Sequence, residues 1–219
     1  MWTRQIGKLV KRELLNETRQ QYAVFGIILF VVSTIFIARF SFKAVKDIPT
    51  WNALFWIIML FAAVTGIARS FAQESRGKLL YLYTVADPRA LLVAKMIYNN
   101  ILLVALGLAG IAIYGFLIEF PVQNVGLYIL AIVLECSALA SGFTMISAIA
   151  SKGGNNFALM AILGFPVLLP VLMAGIRLSK FAADGLTGDG AWQYAGLLIA
   201  LNVAVSALAY LLFPYLWRD

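Results

Sequence analysis

Apolar runs dominate this chain and recur six times, at residues 22–38, 51–68, 91–118, 122–150, 157–176 and 194–217. With 63% of 219 residues hydrophobic and only 12% charged, a soluble body of this size cannot hide its apolar surface. The bilayer must therefore act as solvent, and the expected fold is an all-α integral membrane protein with six transmembrane helices. The runs at 91–118 and 122–150 exceed the roughly 20 residues that cross the hydrocarbon, so tilt, a kink or an interfacial extension is expected there.

That length leaves room for a single transmembrane domain, residues 1–219, and none for a separate catalytic domain. The net charge of +7 does not point to nucleic acid, because the basic residues are scattered between apolar runs. Orientation explains them better. With the N-terminus inside, twelve of the 17 Lys and Arg fall in cytoplasmic segments, and Arg39, Lys43, Lys46, Arg177 and Lys180 fall outside, so both termini are expected in the cytoplasm. Trp2, Trp51, Trp56, Trp192 and Trp217 lie near span ends, where indole rings suit the interface. The single cysteine, Cys136, excludes an internal disulfide framework and reads as a small buried residue. Histidine is absent, which removes the commonest metal ligand, haem ligand and neutral-pH base. No small-x-small cleavage pattern follows the first run, which is expected to stay in the protein.

Two polar segments stand out. In residues 1–21, Trp2, Ile6 and Leu9 recur at helical spacing with Val10 and Leu14 alongside, while Arg4, Lys8, Lys11 and Arg12 fall mostly elsewhere on the wheel. A basic amphipathic helix on the inner leaflet is expected; the plainer alternative is a basic flank that orients the first span. Residues 69–90, between spans two and three, carry Glu74, Arg76 and Lys78 among Phe71, Leu79 and Leu82, and end on the turn signal Asp87-Pro88. Gly77 interrupts them at a cost of roughly 1 kcal/mol to a helix interior, so two short helical pieces around a bend are expected. This is either a solvated loop dipping into the interface or a cytoplasmic coupling helix. Apolar anchors ringed by charge are what helix-in-groove docking on a soluble partner requires.

At membrane depth, Glu135 would cost roughly 2.5–3.5 kcal/mol if charged and exposed, so it should face protein or a cavity, or be neutral. It either lines a path or bonds a neighbour, with Ser137, Ser141 and Thr144 as candidates on its own helix. Lys95 can snorkel to the inner interface, and Asn99 and Asn100 suit interhelical hydrogen bonding. Pro166 and Pro170 predict a kinked or broken fifth span, whether static or moving. Lys152-Gly153-Gly154 lacks the spacing and strand of a P-loop, so the chain supplies no ATPase of that type. Asp184, Thr187 and Asp189 lack the length and terminal Glu of a calcium loop and read as an outer turn.

The order F-A-Q-E-S-R-G-K-L-L, D-P and L-L-V-A-K, then S-K-G-G-N-N at 151–156 and F-P-V-L-L-P at 165–170, resembles the CcmB family. Members of that family are membrane subunits of the haem exporter in cytochrome c maturation, among the type-2 ABC-exporter permeases. Phe71, Glu74, Gly77, Leu79, Pro88, Ala94 and Lys95 stand at matching places, as do Gly153, Gly154, Pro166 and Pro170. The resemblance implies a permease subunit in the bacterial inner membrane, not an enzyme, driven by ATP through a separate cytoplasmic ABC ATPase. Phe71, Glu74, Arg76, Gly77, Lys78 and Leu79 would form the coupling site. It also implies a second membrane subunit that carries haem, with haem a substrate of the complex and no cofactor bound by this chain directly. Whether two copies pair as a homodimer stays open. Residue chemistry alone also leaves a same-architecture permease for another lipid-like or peptide substrate. A membrane enzyme lacks polar clusters at depth, and a self-sufficient channel would tolerate replacement of residues 69–90.

Overall fold

One helix, α5 (Val125–Lys152), organises the molecule, because it packs against α3 (Ile48–Ile67), α4 (Pro88–Ile118), α6 (Phe157–Ala183) and α7 (Asp189–Arg218). Among the described residues there are two more helices: α1 (Trp2–Arg19) lies against α4, and α2 (Gln21–Ser41) against α3 and α4. The computed structural model describes residues 2–19, 21–42, 47–67, 71, 87–152 and 157–218.

Small residues let α5 sit at the centre. Ala131, Ala138 and Ala140 are buried on it, and Gly107 of α4 faces Cys136 so closely that a Cβ there would come within 2.9 Å of the sulfur. Cys136 is thus the small buried residue the sequence suggested. Among the described residues, five helices, α3 to α7, are long and apolar enough to cross a membrane, and α2 contributes a shorter apolar stretch, Phe25–Ser41. The chain is a multi-pass, all-α membrane protein.

The helix ends are specified locally. Asp47 caps α3, its carboxylate accepting from the Thr50 N–H at 3.0 Å, and hydrogen bonding from the Thr50 side chain and backbone holds that carboxyl below its ordinary range. Asp87 caps α4 by accepting from the Arg89 N–H, with Pro88 in the first turn, where its missing donor costs nothing. The chain then turns at Glu119, a non-glycine residue at φ 66°, whose carbonyl accepts from the Trp51 indole at 3.0 Å. Asn124 caps α5, its side chain accepting from the Leu127 N–H.

Two expected span ends move. Arg177 and Lys180, expected in an outer segment after a span ending at 176, lie inside α6, which continues to Ala183. Its last turns bury Leu178, Ser179, Ala182 and Ala183 and expose the two cations, and positive charge is favourable near a helix C-terminus. Asp189, expected in the outer turn, opens α7, where an acid suits the N-terminal dipole.

Candidate functional site

At the end of the bundle where α1 lies, the residues converge on Phe71. Its ring is 3% exposed and packs with Leu92 of α4, Met145 and Ala148 of α5, and Val205, Ala209 and Phe213 of α7. The Phe71 and Phe213 centroids are 5.5 Å apart, and the Phe71 N–H donates to the Ser147 hydroxyl at 3.2 Å. The Lys95 ammonium stands 5.0 Å from the Phe71 ring centroid, within cation–π range.

Lys95 also faces Glu13 of α1, with Nζ 3.6 Å from a carboxylate oxygen, and Arg12 lies 3.9 Å from the other. Rather than snorkelling, Lys95 is 3% exposed. A carboxylate and an aromatic face inside the protein stabilise the ammonium where the interface would otherwise have to. Below this pair, Leu9 of α1 buries against Ala90, Leu91 and Ala94 of α4, with Ile6 and Val10 beside it. Nearby, the Arg89 guanidinium sits 5.0 Å from the Tyr210 ring centroid, joining α4 to α7.

Glu13, Ser147 and Phe213 were not singled out from the sequence, although one signal for Glu13 was there. It follows Leu9 by one helical turn, on the apolar stripe of an otherwise basic helix. Glu74, Arg76, Gly77, Lys78 and Leu79 lie outside the described residues, as do Gly153 and Gly154.

Deeper in the bundle, the Asn99 carboxamide donates across to the Thr144 hydroxyl at 2.9 Å, and Asn100 accepts from Ser137 at 3.3 Å. Glu135 is fully buried, and neither carboxyl oxygen has a hydrogen-bond partner among the described residues. The three hydroxyls proposed for it are used elsewhere. Ser137 donates to Asn100, Ser141 to Asn202 and Thr144 to the Ala140 carbonyl. The Glu135 carboxyl instead occupies the space a Cβ on Gly175 of α6 would fill. Pro166 and Pro170 point outward from α6, which runs through both without a break.

The opposite end is braced by buried polar contacts. The Tyr128 hydroxyl donates to Asn52, the Asn52 amide to the Ile176 carbonyl, and the Trp56 indole to Ser179. Trp51 packs on Tyr114 and Tyr128, and the Tyr114 hydroxyl donates to the Trp51 carbonyl.

A bundle of long apolar helices, held by buried polar contacts at one end and closed around Phe71 at the other, defines an integral membrane protein of the multi-pass class. Residues 4–215 match the CcmB protein family, and the chain belongs to that family. No curated protein matches the chain. As a CcmB protein it is the membrane permease subunit of the cytochrome c maturation ABC exporter, a non-catalytic subunit that associates with a cytoplasmic ABC ATPase and with other membrane subunits of that system. The exporter acts on haem and draws on ATP through its ATPase.

Proposed function

We propose that residues 69–90 are the cytoplasmic coupling segment on which the ATPase acts, with Phe71 as its fixed root and Glu74, Arg76, Gly77, Lys78 and Leu79 as the docking part. One observation carries this reading. Phe71 is seated among α4, α5 and α7 and touched by Lys95, so force on the segment would reach three helices at once. Gly77, Gly153 and Gly154 enter this reading as the glycines of the sequence motifs. Pro166 and Pro170 mark where α6 yields as the helices rearrange.

The topology that serves this function has six spans with both termini in the cytoplasm. Helix α2, 21 residues or roughly 31 Å long, is the sixth span, long enough for a hydrocarbon core of about 30 Å. Helix α1 lies in the inner leaflet, with Leu9 toward α4 and the exposed Arg4, Lys8 and Lys11 toward anionic headgroups. Haem is cargo ligated by the second membrane subunit, consistent with a chain that has no histidine to offer.

The test is co-purification in detergent of this chain with its co-expressed ATPase, wild type against a variant reversing the charges of Glu74, Arg76 and Lys78. Loss of the ATPase while the variant elutes as a folded monodisperse protein is expected. Equal recovery of the ATPase would sink the coupling role.

A further inference from the structure

A groove of about 660 Å³ opens sideways between α4 and α7, with Ser141 of α5 in its floor. Its walls are apolar, Val203 and Ala207 among them, but it also holds two carboxamides, Asn100 on α4 and Asn202 on α7. Both sit near the middle of long apolar helices, and so at membrane depth. Each is only half used. Asn202 Oδ1 accepts from Ser141 at 2.9 Å and from Ser206 at 3.4 Å, and Asn100 Oδ1 accepts from Ser137 at 3.3 Å. The amide NH₂ of each donates to none of the described residues, and both side chains are part-exposed at the groove.

Facing lipid, these donors would lack acceptors, since acyl chains offer none at that depth, and an unmet polar group in hydrocarbon is strongly penalised. We propose that the groove between α4 and α7 receives a transmembrane helix of another membrane subunit of the exporter. The docked helix presents a side-chain oxygen, from a carboxamide, hydroxyl or carboxyl, to Asn100 and Asn202. A second copy of this chain is the poorer occupant. A two-fold contact puts the same patch on both sides, and two concave grooves facing each other leave a void where a convex helix would fit. Lipid fills the shape but not the donors. The inference rests on the permease-subunit reading and adds to it the face on which the membrane partner sits.

Its test is photo-crosslinking in membranes, with this chain co-expressed with the ATPase and the other membrane subunits of its own complex. A benzophenone amino acid is placed at Val203 or Ala207 in the groove, or at Leu208 on another face of α7 as control. Crosslinks to a membrane subunit from the two groove positions, at least tenfold above Leu208, are expected. In parallel, A207W fills the groove without touching the Asn and Ser hydrogen bonds. It should lose the membrane subunit on co-purification and keep the ATPase. Groove crosslinks to lipid alone or to a second copy of this chain, or full retention of the membrane subunit by A207W, would overturn the proposal. ATPase recovery is scored on the same samples. Its loss from wild type would count against the permease reading, while the crosslinked partner judges the groove by itself.

Discussion

The ammonium of Lys95 lies 3.6 Å from a carboxylate oxygen of Glu13, joining α4 to α1 by an ion pair whose members are 3% and 9% exposed. The same ammonium faces the ring of Phe71. One side chain of α4 thus touches the N-terminal helix α1 and the ring of Phe71.

Breaking that pair from one side should cost more than removing it whole. K95M leaves the Glu13 carboxylate only the half-buried Arg12, 3.9 Å from its other oxygen, and loss of one partner of a buried pair typically costs about 3 kcal/mol, the figure expected here as an upper bound. E13Q keeps a hydrogen-bonding oxygen near the ammonium and should cost less. The double variant E13Q/K95M should be more stable than K95M alone. Thermal unfolding in detergent, followed by size-exclusion recovery, measures all three. Equal loss for E13Q, K95M and the double variant would show that the pair contributes nothing beyond bulk.

Phe71 separates packing from coupling. F71A removes a buried ring and should destabilise by about 3 kcal/mol, the lower end for such truncations. F71L keeps most of the volume but loses the tilted ring contact with Phe213 and the ammonium–ring contact. We expect F71L to fold, to retain the ATPase, and to lower ATP-driven activity of the assembled exporter several-fold. Wild-type activity in F71L would mean that the seat only needs filling.

The parts of this fold that were legible in the sequence are those set by one-dimensional pattern. Long apolar runs mark spans because the bilayer imposes a length, and Asp87-Pro88, legible as a turn signal, lies where the cap of α4 forms, three residues before the expected span. Span ends were misjudged where charge overlapped helix, as at Arg177, Lys180 and Asp189, since a terminal turn can bury one face and hydrate the other. Asn99 and Asn100 could be read as interhelical hydrogen-bonding residues. Their partners Thr144 and Ser137 could not, because pairing depends on how α4 and α5 rotate against each other. Glu13 meeting Lys95 and Glu135 meeting Gly175 are likewise tertiary facts, which periodicity does not encode.

The brace at the other end predicts a graded response. Tyr128→Phe removes one hydroxyl and leaves Asn52 Oδ1 without its donor, for a cost of about 1 kcal/mol. Asn52→Leu strands the buried Tyr128 hydroxyl and takes a donor from the Ile176 carbonyl, so about 2–3 kcal/mol is expected. Melting temperatures in one detergent should rank wild type, Tyr128→Phe and Asn52→Leu in that order. The reverse ranking of the two variants would show that Asn52 is not the hub of this end.

Glu135 and Gly175 give the sharpest packing test. The carboxyl fills the place of a Gly175 side chain, and Glu135 is fully enclosed, so it has no solvent to swing into. Gly175→Ala must push α5 and α6 apart or force the glutamate off its rotamer, an overpacking cost of about 1–3 kcal/mol. Glu135→Gln keeps the shape and should leave that cost in place. Glu135→Ala opens the space, so Gly175→Ala should be nearly neutral in its background. The coupling energy from a double-mutant cycle on detergent stability reads this directly, with a value above about 1 kcal/mol expected for residues in contact. Additive losses for the Glu135→Ala and Gly175→Ala pair would mean that the two helices do not meet at these residues.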